Sequence, residues 1–279
     1  MAAVRTALVT GSTDGIGRET AMELLRRGLR VVVHGRSDAK VGHAVEEIRQ
    51  KLGKGVTVEG WACDLSSLAQ VREKAPALLA LAPQLHVLLH NAGVYQADRK
   101  VTPEGFELTL AVSHLAPFLL TRLMLPSLLA AAPARVIAVS SGLHQSGQID
   151  LADLQLARRY TGGAAYAQAK LCNVLFANGL AARFEPAQLT ANSLHPGVVG
   201  TKLLKAGFGM RSGPDSLEEG AATSVFLALS PGVSQVSGRY FVRSRETPPA
   251  PQSRSEKLRE ELWSASESLT GAKWDPPRR

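Results

Sequence analysis

Short apolar runs rich in β-branched residues alternate with longer amphipathic stretches along most of the chain. The apolar runs indicate buried strands, because a strand covered on both faces loses the polar alternation of a half-exposed one. Between them, residues 16–28 and 37–53 have the apolar spacing of helices. The predicted strands are residues 6–10, 30–34, 55–61, 86–90, 135–140, 189–195 and 238–242. This alternation predicts an α/β fold with a parallel sheet of about seven strands and helices on both faces.

The chain divides near its C-terminal end. No linker interrupts residues 1–243, which are predicted to form one domain. Residues 244–279 begin with SRETPPAPQSRS, whose proline and serine content is typical of a linker. Further on, Leu258 and Leu262 share one helical face beside Trp263. The pattern predicts a C-terminal helix packed on the same domain, with a helix that binds a partner as the alternative.

Composition and charge restrict the class of protein. The 279 residues are 45% hydrophobic, and no apolar run approaches the roughly 18 residues of a membrane span. The chain enters its first strand without a signal peptide, and two cysteines cannot form a disulfide framework, so a cytoplasmic location is expected. The net charge is +8, but basic residues are interspersed with acidic ones. A phosphorylated cofactor explains this charge more simply than a nucleic-acid partner does. No nucleic-acid partner is expected.

A glycine-rich loop, TGSTDGIG at residues 10–17, follows the first predicted strand and opens the first helix. Gly11 permits a tight turn, and Gly15 and Gly17 let a ligand approach the backbone where a Cβ would block it. The free N–H groups at the start of a helix suit a pyrophosphate. In this context the loop predicts a dinucleotide site. The residues assigned to it are Gly11, Ser12, Asp14, Gly15, Ile16 and Gly17.

The end of the second predicted strand indicates which dinucleotide binds. An acidic residue there would hold the ribose hydroxyls of NAD, but the sequence reads HGRS, with Arg36 and no carboxylate. A guanidinium can donate two parallel hydrogen bonds to a phosphate. We therefore predict that NADP(H) is preferred over NAD(H), with a surface arginine at a strand end as the alternative.

Tyr166 and Lys170 are four positions apart in GAAYAQAK, so in a helix they lie on one face about one turn apart. An ammonium beside a phenol favours the phenolate and lowers a pKa that is ordinarily about 10. The same spacing occurs by chance in many helices, so the pair alone does not establish chemistry.

Together, the loop, the strand order and the Y-x-x-x-K pair resemble the short-chain dehydrogenase/reductase family nearly from end to end. TGSTDGIG is similar to its T-G-x-x-x-G-x-G, CDLS to its Asp-Leu step, HNAG to its N-A-G segment and HPGVVGTKL to its P-G-x-x-x-T loop. GRS, RVIAVSSGLHQSG, GRYF and ELWSASESLTG are similar to the retinol-dehydrogenase-like branch, whose members often carry a membrane anchor that is not expected here. The resemblance implies a single-domain, doubly wound (Rossmann-type) fold and an oxidoreductase that interconverts a carbonyl and an alcohol. Further cofactor contacts that it implies are Asp64, Leu65, Asn91, Ala92, Gly93, Tyr166, Lys170, Pro196, Gly197, Val198 and Thr201.

The resemblance also implies a role for each catalytic residue. Lys170 is implied to bind the nicotinamide ribose and to lower the pKa of Tyr166, which exchanges a proton with the carbonyl oxygen. Ser141, in the VSS segment, is implied to hydrogen-bond the same oxygen while hydride passes to or from the nicotinamide.

One position departs from the family pattern. Members have an asparagine in a stretch resembling NHLGHFLLT, whereas this chain reads SHLAPFLLT, with Ser113 in its place. That asparagine is thought to hold a water that links the lysine to bulk solvent, and a serine hydroxyl could still anchor one. Two interpretations follow: a proton relay of modified geometry, or weakened catalysis in a protein that senses NADP(H) or serves as a scaffold.

Residues 202–220 are predicted to form a substrate lid. Its apolar residues Leu203 and Phe208 suit an apolar ketone, aldehyde or secondary alcohol, although they could equally pack the lid on the body. His144, three residues after Ser141, is a further candidate, with a loop residue facing water as the alternative. The predicted substrate contacts are Ser141, His144, Tyr166, Leu203 and Phe208.

Neither a metal site nor a nucleic-acid partner is predicted. His86 and His90 are four positions apart but fall on a predicted strand, where this spacing does not give the ligand pair of a helix. Family members often form dimers or tetramers through the helices after the fourth and fifth strands. A homodimer or a homotetramer is therefore a further expectation.

Overall fold

The computed structural model describes residues 4–210 and 212–274, apart from the side chain of Phe208, and its centre is one eight-stranded sheet. The strand order is β3-β2-β1-β4-β5-β6-β7-β8, and every neighbouring pair is parallel except the last. The strands are β1 (Thr6–Val9), β2 (Arg30–Gly35), β3 (Val58–Ala62), β4 (Val87–His90), β5 (Ala134–Val139), β6 (Leu189–His195), β7 (Tyr240–Val242) and β8 (Arg245–Glu246). The predicted α/β fold with a parallel sheet is confirmed, and the count of about seven strands is one short because of β8.

Helices cover both faces of the sheet, as the doubly wound pattern requires. The helices are α1 (Gly15–Arg26), α2 (Asp38–Leu52), α3 (Leu68–Leu81), α4 (Leu108–Leu110), α5 (Ala116–Ala130), α6 (Gly162–Ala181), α7 (Lys202–Phe208), α8 (Leu217–Leu229) and α9 (Glu256–Thr270). Successive strand residues point to opposite faces, so Leu8 joins one apolar cluster while Ala7 and Val9 join the other. The first cluster includes residues of α3, α5, α6 and α9, and the second includes residues of α1, α2 and α8.

Helices α4 and α5 form one continuous helix, Leu108–Ala130, joined by a π turn at Ala111–Leu115. By length and composition it could cross a membrane, contrary to the expectation that no apolar segment reaches that length. Its apolar window has a mean hydropathy of 1.5 and is 78% buried inside the protein. Phe118 in α5 is fully buried, which identifies this segment as a core helix of the fold.

The C-terminal residues pack on the body of the protein. Helix α9 lies across α5 and α6, where the ring of Trp263 is centred 4.9 Å from that of Phe118. The guanidinium of Arg183 lies 3.7 Å from the centre of the Trp263 ring. The Nε2 of His114, in the π turn, lies 2.7 Å from the Oγ of Ser266 in α9. The helix therefore covers part of α5 and α6, the helices through which the resemblance implied subunit contacts.

Candidate active site

A cleft of about 1010 Å³ opens at the carboxyl ends of the parallel strands. In the sheet order, the neighbours β1 and β4 mark the point where successive strands change sides, which is where doubly wound folds bind ligands. Most of the residues predicted from the sequence line this cleft. They are Gly11, Asp14, Gly15, Ile16, Gly17, Arg36, Asp64, Leu65, Asn91, Ala92, Gly93, Ser141, Tyr166, Lys170, Pro196, Gly197, Val198, Thr201 and Leu203.

The glycine-rich loop forms a cradle that has no room for a side chain at Gly11 or Gly17. Gly11 and Gly15 have φ of +64° and +57°, a region that favours glycine. A Cβ on Gly17 would lie 2.3 Å from the carbonyl oxygen of Gly11 and 2.4 Å from Nδ2 of Asn91. Asn91 in turn donates hydrogen bonds from Nδ2 to the carbonyls of Thr10 and Gly11, at 2.9 and 3.1 Å. The loop is therefore held open by its link to the end of β4.

Ser12 does not line the cleft, in contrast to its predicted role. It is fully buried, donates its hydroxyl to the carbonyl of Val9 at 2.6 Å, and accepts from the backbone N–H of His34 at 2.9 Å. A buried hydroxyl that both donates and accepts a hydrogen bond inside the protein stabilises the loop from the side of the core. Ser12 is therefore a structural residue of the cradle.

His34 is a residue of this site that the sequence reasoning missed. Its Nδ1 accepts a hydrogen bond from the Gly11 N–H at 2.9 Å, so Nε2 carries the proton and donates to the carbonyl of Cys63 at 2.9 Å. Burial lowers the pKa of His34 to about 4, so the ring is neutral near pH 7. One signal in the sequence could have identified His34: it is a polar residue at the end of an apolar strand, and that strand end lies beside the glycine-rich loop.

The residues present fit a dinucleotide. The N-terminus of α1 opens onto the cradle. Its N-cap carboxylate, Asp14, accepts from the N–H of Gly15 and is paired with Lys202, and the other N–H groups of the first turn suit the negative charge of a pyrophosphate. Arg36, just after β2, lines the cleft together with Lys40 and His43 of α2. Cations at that point match a phosphate on the adenosine ribose.

The catalytic candidates come together on two elements. Ser141 follows β5, and Tyr166 and Lys170 lie on one face of α6. The hydroxyls of Ser141 and Tyr166 are hydrogen-bonded to each other. The Nζ of Lys170 lies 5.5 Å from the centre of the Tyr166 ring and donates to the carbonyl of Val139 at 2.9 Å. The cleft thus holds two hydroxyls beside one ammonium.

Burial controls the ionisation of this pair. It raises the pKa of Tyr166 to about 12, an increase that the hydrogen bond from Ser141 reduces in part. It also lowers the pKa of Lys170 to about 8. The expected lowering of the phenol pKa by the ammonium is therefore not observed in the protein alone, because the loss of hydration outweighs it. At neutral pH the phenol carries its proton.

Ser113 lies in the π turn behind the cleft and does not line it. Its Oγ is buried and has no hydrogen-bond partner among the residues that the structure describes. A Cβ on Gly93 would lie 3.2 Å from Nζ of Lys170 and 3.7 Å from Oγ of Ser113. The two polar groups therefore flank one small space beside Gly93, and the hydroxyl of Ser113 is available to a water there.

The substrate end of the cleft is largely apolar. Leu203, Leu204 and Met210 of the predicted lid line it, together with Val94, which the sequence did not indicate. The side chain of Phe208 lies outside the described residues. His195 also lines the cleft, with its Nε2 3.6 Å from where a Cβ on Gly142 would stand.

His144 has a different place from the one predicted. It is fully buried and does not line the cleft. Its Nδ1 lies 2.7 Å from the carbonyl oxygen of Ser141, and its Nε2 accepts from the N–H of Ala250 at 3.0 Å. With both ring nitrogens engaged inside the protein, this side chain cannot contact a substrate in this arrangement.

Comparison with known proteins gives matches along nearly the whole chain. Residues 5–210 match the family model described as short chain dehydrogenase. Retinol dehydrogenase 12 of Homo sapiens is 40% identical over 278 residues, covering 97% of this chain and 88% of that protein. Polyprenol dehydrogenase of Mus musculus is 41% identical over 285 residues, covering 96% and 84%. A solved structure of an uncharacterized protein from Mycobacterium Paratuberculosis has a TM-score of 0.79 at 29% identity, covering 98% of this chain and 95% of that one.

Proposed function

Because this chain belongs to the short-chain dehydrogenase/reductase family and is an oxidoreductase acting on CH–OH donors, we propose that it interconverts a carbonyl and an alcohol with NADP(H), using Tyr166 as general acid and base. One observation carries this proposal. The hydrogen-bonded hydroxyls of Ser141 and Tyr166 stand in the same cleft as the glycine cradle.

A nicotinamide, when bound, supplies the hydride for reduction or accepts it in oxidation. Ser141 and Tyr166 present two hydroxyl groups to the substrate oxygen and thereby orient the carbonyl. In reduction Tyr166 donates its proton, which its pKa of about 12 keeps in place at neutral pH. The ammonium of Lys170, held near the ring, stabilises the phenolate that remains.

We propose that NADP(H) is preferred over NAD(H), on the basis of the cations at the end of β2. Arg36 and Lys40 line the cleft where a carboxylate would select NAD. A phosphate on the adenosine ribose would gain charge-assisted hydrogen bonds from Arg36.

We propose that the substrate is an apolar ketone, aldehyde or secondary alcohol and that α7, with the residues around it (202–220), acts as the lid. Leu203 and Leu204 of α7 line the cleft, as does Leu143 from the loop after Ser141. The names of the two relatives, a retinol and a polyprenol dehydrogenase, agree with an apolar alcohol.

The test is NADPH consumption with a panel of apolar carbonyl compounds, for the native chain and for Tyr166→Phe. Removing the phenolic proton should reduce kcat by about 10²–10⁴-fold and leave NADPH binding unchanged, since only the proton donor is lost. Tyr160→Phe is the matched control, because that hydroxyl donates to the carbonyl of Gln96 at 2.9 Å and does not line the cleft. Equal turnover by Tyr166→Phe and the native chain would refute the mechanism.

The second candidate is a protein that binds NADP(H) as a sensor or scaffold and turns over slowly. The buried hydroxyl of Ser113, which has no partner among the described residues, favours it, because a shorter side chain replaces the family's asparagine beside Lys170. NADPH binding without turnover across the panel would support this candidate. A large gain in kcat for Ser113→Asn would show that the relay is weakened in the native chain.

We propose a cytoplasmic location and a homodimer or a homotetramer. Both cysteines, Cys63 and Cys172, are buried free thiols, which agrees with a reducing compartment. Helix α9 covers part of α5 and α6, so a second copy would contact the surface of these helices that α9 leaves uncovered, or α9 itself. Light scattering should give a multiple of the chain mass of 29.7 kDa, and the mass of a single chain would refute this assignment.

A further inference from the structure

The Pro-rich segment runs along the loop that follows Ser141 and contacts a buried histidine of that loop, His144. We propose that residues 248–252, called here the strap, hold Ser141 in its working position through His144, which makes His144 a positioning residue. The inference rests on the proposed function, because it concerns the serine that would face the substrate oxygen.

Two hydrogen bonds define how His144 connects the strap to the loop. The backbone N–H of Ala250 can only donate, so the Nε2 that it reaches at 3.0 Å carries no proton. The proton of the neutral ring is then on Nδ1, which donates to the carbonyl of Ser141 at 2.7 Å. The strap therefore selects the tautomer of His144 that can bind the serine.

The carbonyl of Ser141 is held from several directions. Besides Nδ1 of His144, it accepts from the backbone N–H of His144 at 3.1 Å and from the hydroxyl of Tyr240 at 3.5 Å. The rings of His144 and Tyr240 are centred 4.5 Å apart. Because the orientation of this peptide unit determines where the Ser141 hydroxyl points, these bonds control the alignment of the hydroxyl with Tyr166.

The strap is attached to the loop at further points. Gln252 donates from Nε2 to the carbonyl of Gly147 at 3.3 Å and to Oε1 of Gln148 at 2.8 Å. Gln145 donates from Nε2 to the carbonyl of Pro248 at 3.4 Å. Ala250 itself is 2% exposed. A segment with the composition of a linker is thus fixed along the loop that follows Ser141.

The test removes a single donor. Ala250 has φ of −50°, within the range of proline, so Ala250→Pro deletes the N–H while its φ can be retained. Ala250→Gly keeps the N–H and is the matched control. Loss of alignment should lower kcat by about 10- to 100-fold in Ala250→Pro with the KM for NADPH unchanged, and Ala250→Gly should stay near the native value.

Two replacements of His144 separate its two bonds. Asn places an amide donor near Nδ1 and keeps the bond to Ser141, whereas Gln places an amide oxygen near Nε2 and keeps the bond to Ala250. His144→Asn should therefore retain more kcat than His144→Gln. Because His144→Asn already lacks the strap bond, adding Ala250→Pro to it should have little further effect. Additive losses of kcat would overturn the proposal. If Ala250→Pro fails to fold, the comparison of His144→Asn with His144→Gln tests the proposal by itself.

Two measurements test the strap without any turnover. The imidazole ¹⁵N spectrum of the native protein should show His144 protonated at Nδ1, with its pH titration shifted below the ordinary range because burial lowers its pKa. Tyr240 and His195 are the other titratable groups that face this ring. Amide hydrogen exchange of residues 141–147 should accelerate in Ala250→Pro and not in Ala250→Gly. A proton on Nε2, or equal exchange in both variants, would overturn the strap, whereas absence of turnover in the native chain would overturn only the proposed function.

Discussion

The ammonium of Lys170 lies 5.5 Å from the centre of the Tyr166 ring, and both side chains are buried. Burial acts on them in opposite directions, since it favours the uncharged form of each. The phenol is held as an acid with a pKa of about 12, and the ammonium is brought to a pKa of about 8. At neutral pH the phenol therefore keeps its proton, and the ammonium is the member of the pair that titrates nearest to neutrality.

Carbonyl reduction should decline as the pH rises through about 8. Above that value Lys170, with its pKa lowered to about 8, loses the charge that stabilises the phenolate of Tyr166. The measurement is kcat/KM for reduction between about pH 6 and about pH 10. NADPH affinity determined over the same range separates loss of chemistry from loss of cofactor. A profile that stays flat to the upper limit would contradict the role given to Lys170.

Replacing Arg36 with aspartate should reverse the cofactor preference. The change removes a charge-assisted bond worth roughly 1.5–3 kcal/mol, so the ratio of kcat/KM for NADPH over NADH should fall by about 10- to 100-fold. Lys51→Asp is the control, because it makes the same charge change in the last turn of α2, outside the cleft. An unchanged ratio in Arg36→Asp would remove the basis of the NADP(H) assignment.

Acid should destabilise the protein through its buried histidines, and three of them have the largest shifts. Burial lowers the pKa of His34 to about 4, of His90 to about 3 and of His114 to about 4, from an ordinary 6.5. At a pH between the lowered pKa values and the ordinary one, the unfolded chain binds protons that the folded chain does not. As the pH is lowered through this range, the free energy of unfolding should therefore decrease by about 1.4 kcal/mol per histidine for each pH unit.

Chemical denaturation at several pH values gives this slope, and His114→Gln should reduce it by about 1.4 kcal/mol for each pH unit. Glutamine can still donate to Ser266, so the fold keeps that bond while the titrating group is removed. The same comparison well above the ordinary histidine pKa supplies the control, since there neither the folded nor the unfolded chain protonates His114. A stability that does not vary over this acid range would show that the three rings are accessible to protons.

The contact between α6 and α9 should not tolerate one added methyl group. A Cβ on Gly179 would lie 2.5 Å from Cε3 of Trp263, so Gly179→Ala should lower the free energy of unfolding by about 1–3 kcal/mol. Gly163→Ala, in the same helix with nothing within 4 Å, should be neutral or slightly stabilising. Denaturant titration of both variants measures the difference. Equal stabilities would mean that α9 is not held against this face.

The strands were predictable because each carries its own signal. A buried parallel strand is a continuous apolar run, and Arg30–Gly35 and Ala134–Val139 lie within one residue of their predicted bounds. Strand β8, Arg245–Glu246, has two charged residues and no such pattern. It forms because Val242 and Phe241 of β7 offer it an edge to pair with, which only the folded sheet provides.

The parts of the site whose backbone is determined by a local motif were predictable. The parts that depend on contacts between residues far apart in the sequence were not. The glycine cradle follows from Gly11 and Gly17, which are needed whatever the rest of the chain does. The role of His144 depends on Ala250, 106 positions later, in a segment whose composition indicates a linker. The sign of the pKa shift at Tyr166 depends on burial, which adjacent residues do not determine.

Helix α9 follows every other described element, so in synthesis it leaves the ribosome after them. The nascent polypeptide would by then have made the whole cofactor cleft, but the rings of Phe118 and Phe176 would lack the cover of Trp263. A premature stop codon just before Glu256 would thus spare Ser141, Tyr166 and Lys170 and still yield a product that chaperones retain and proteases degrade.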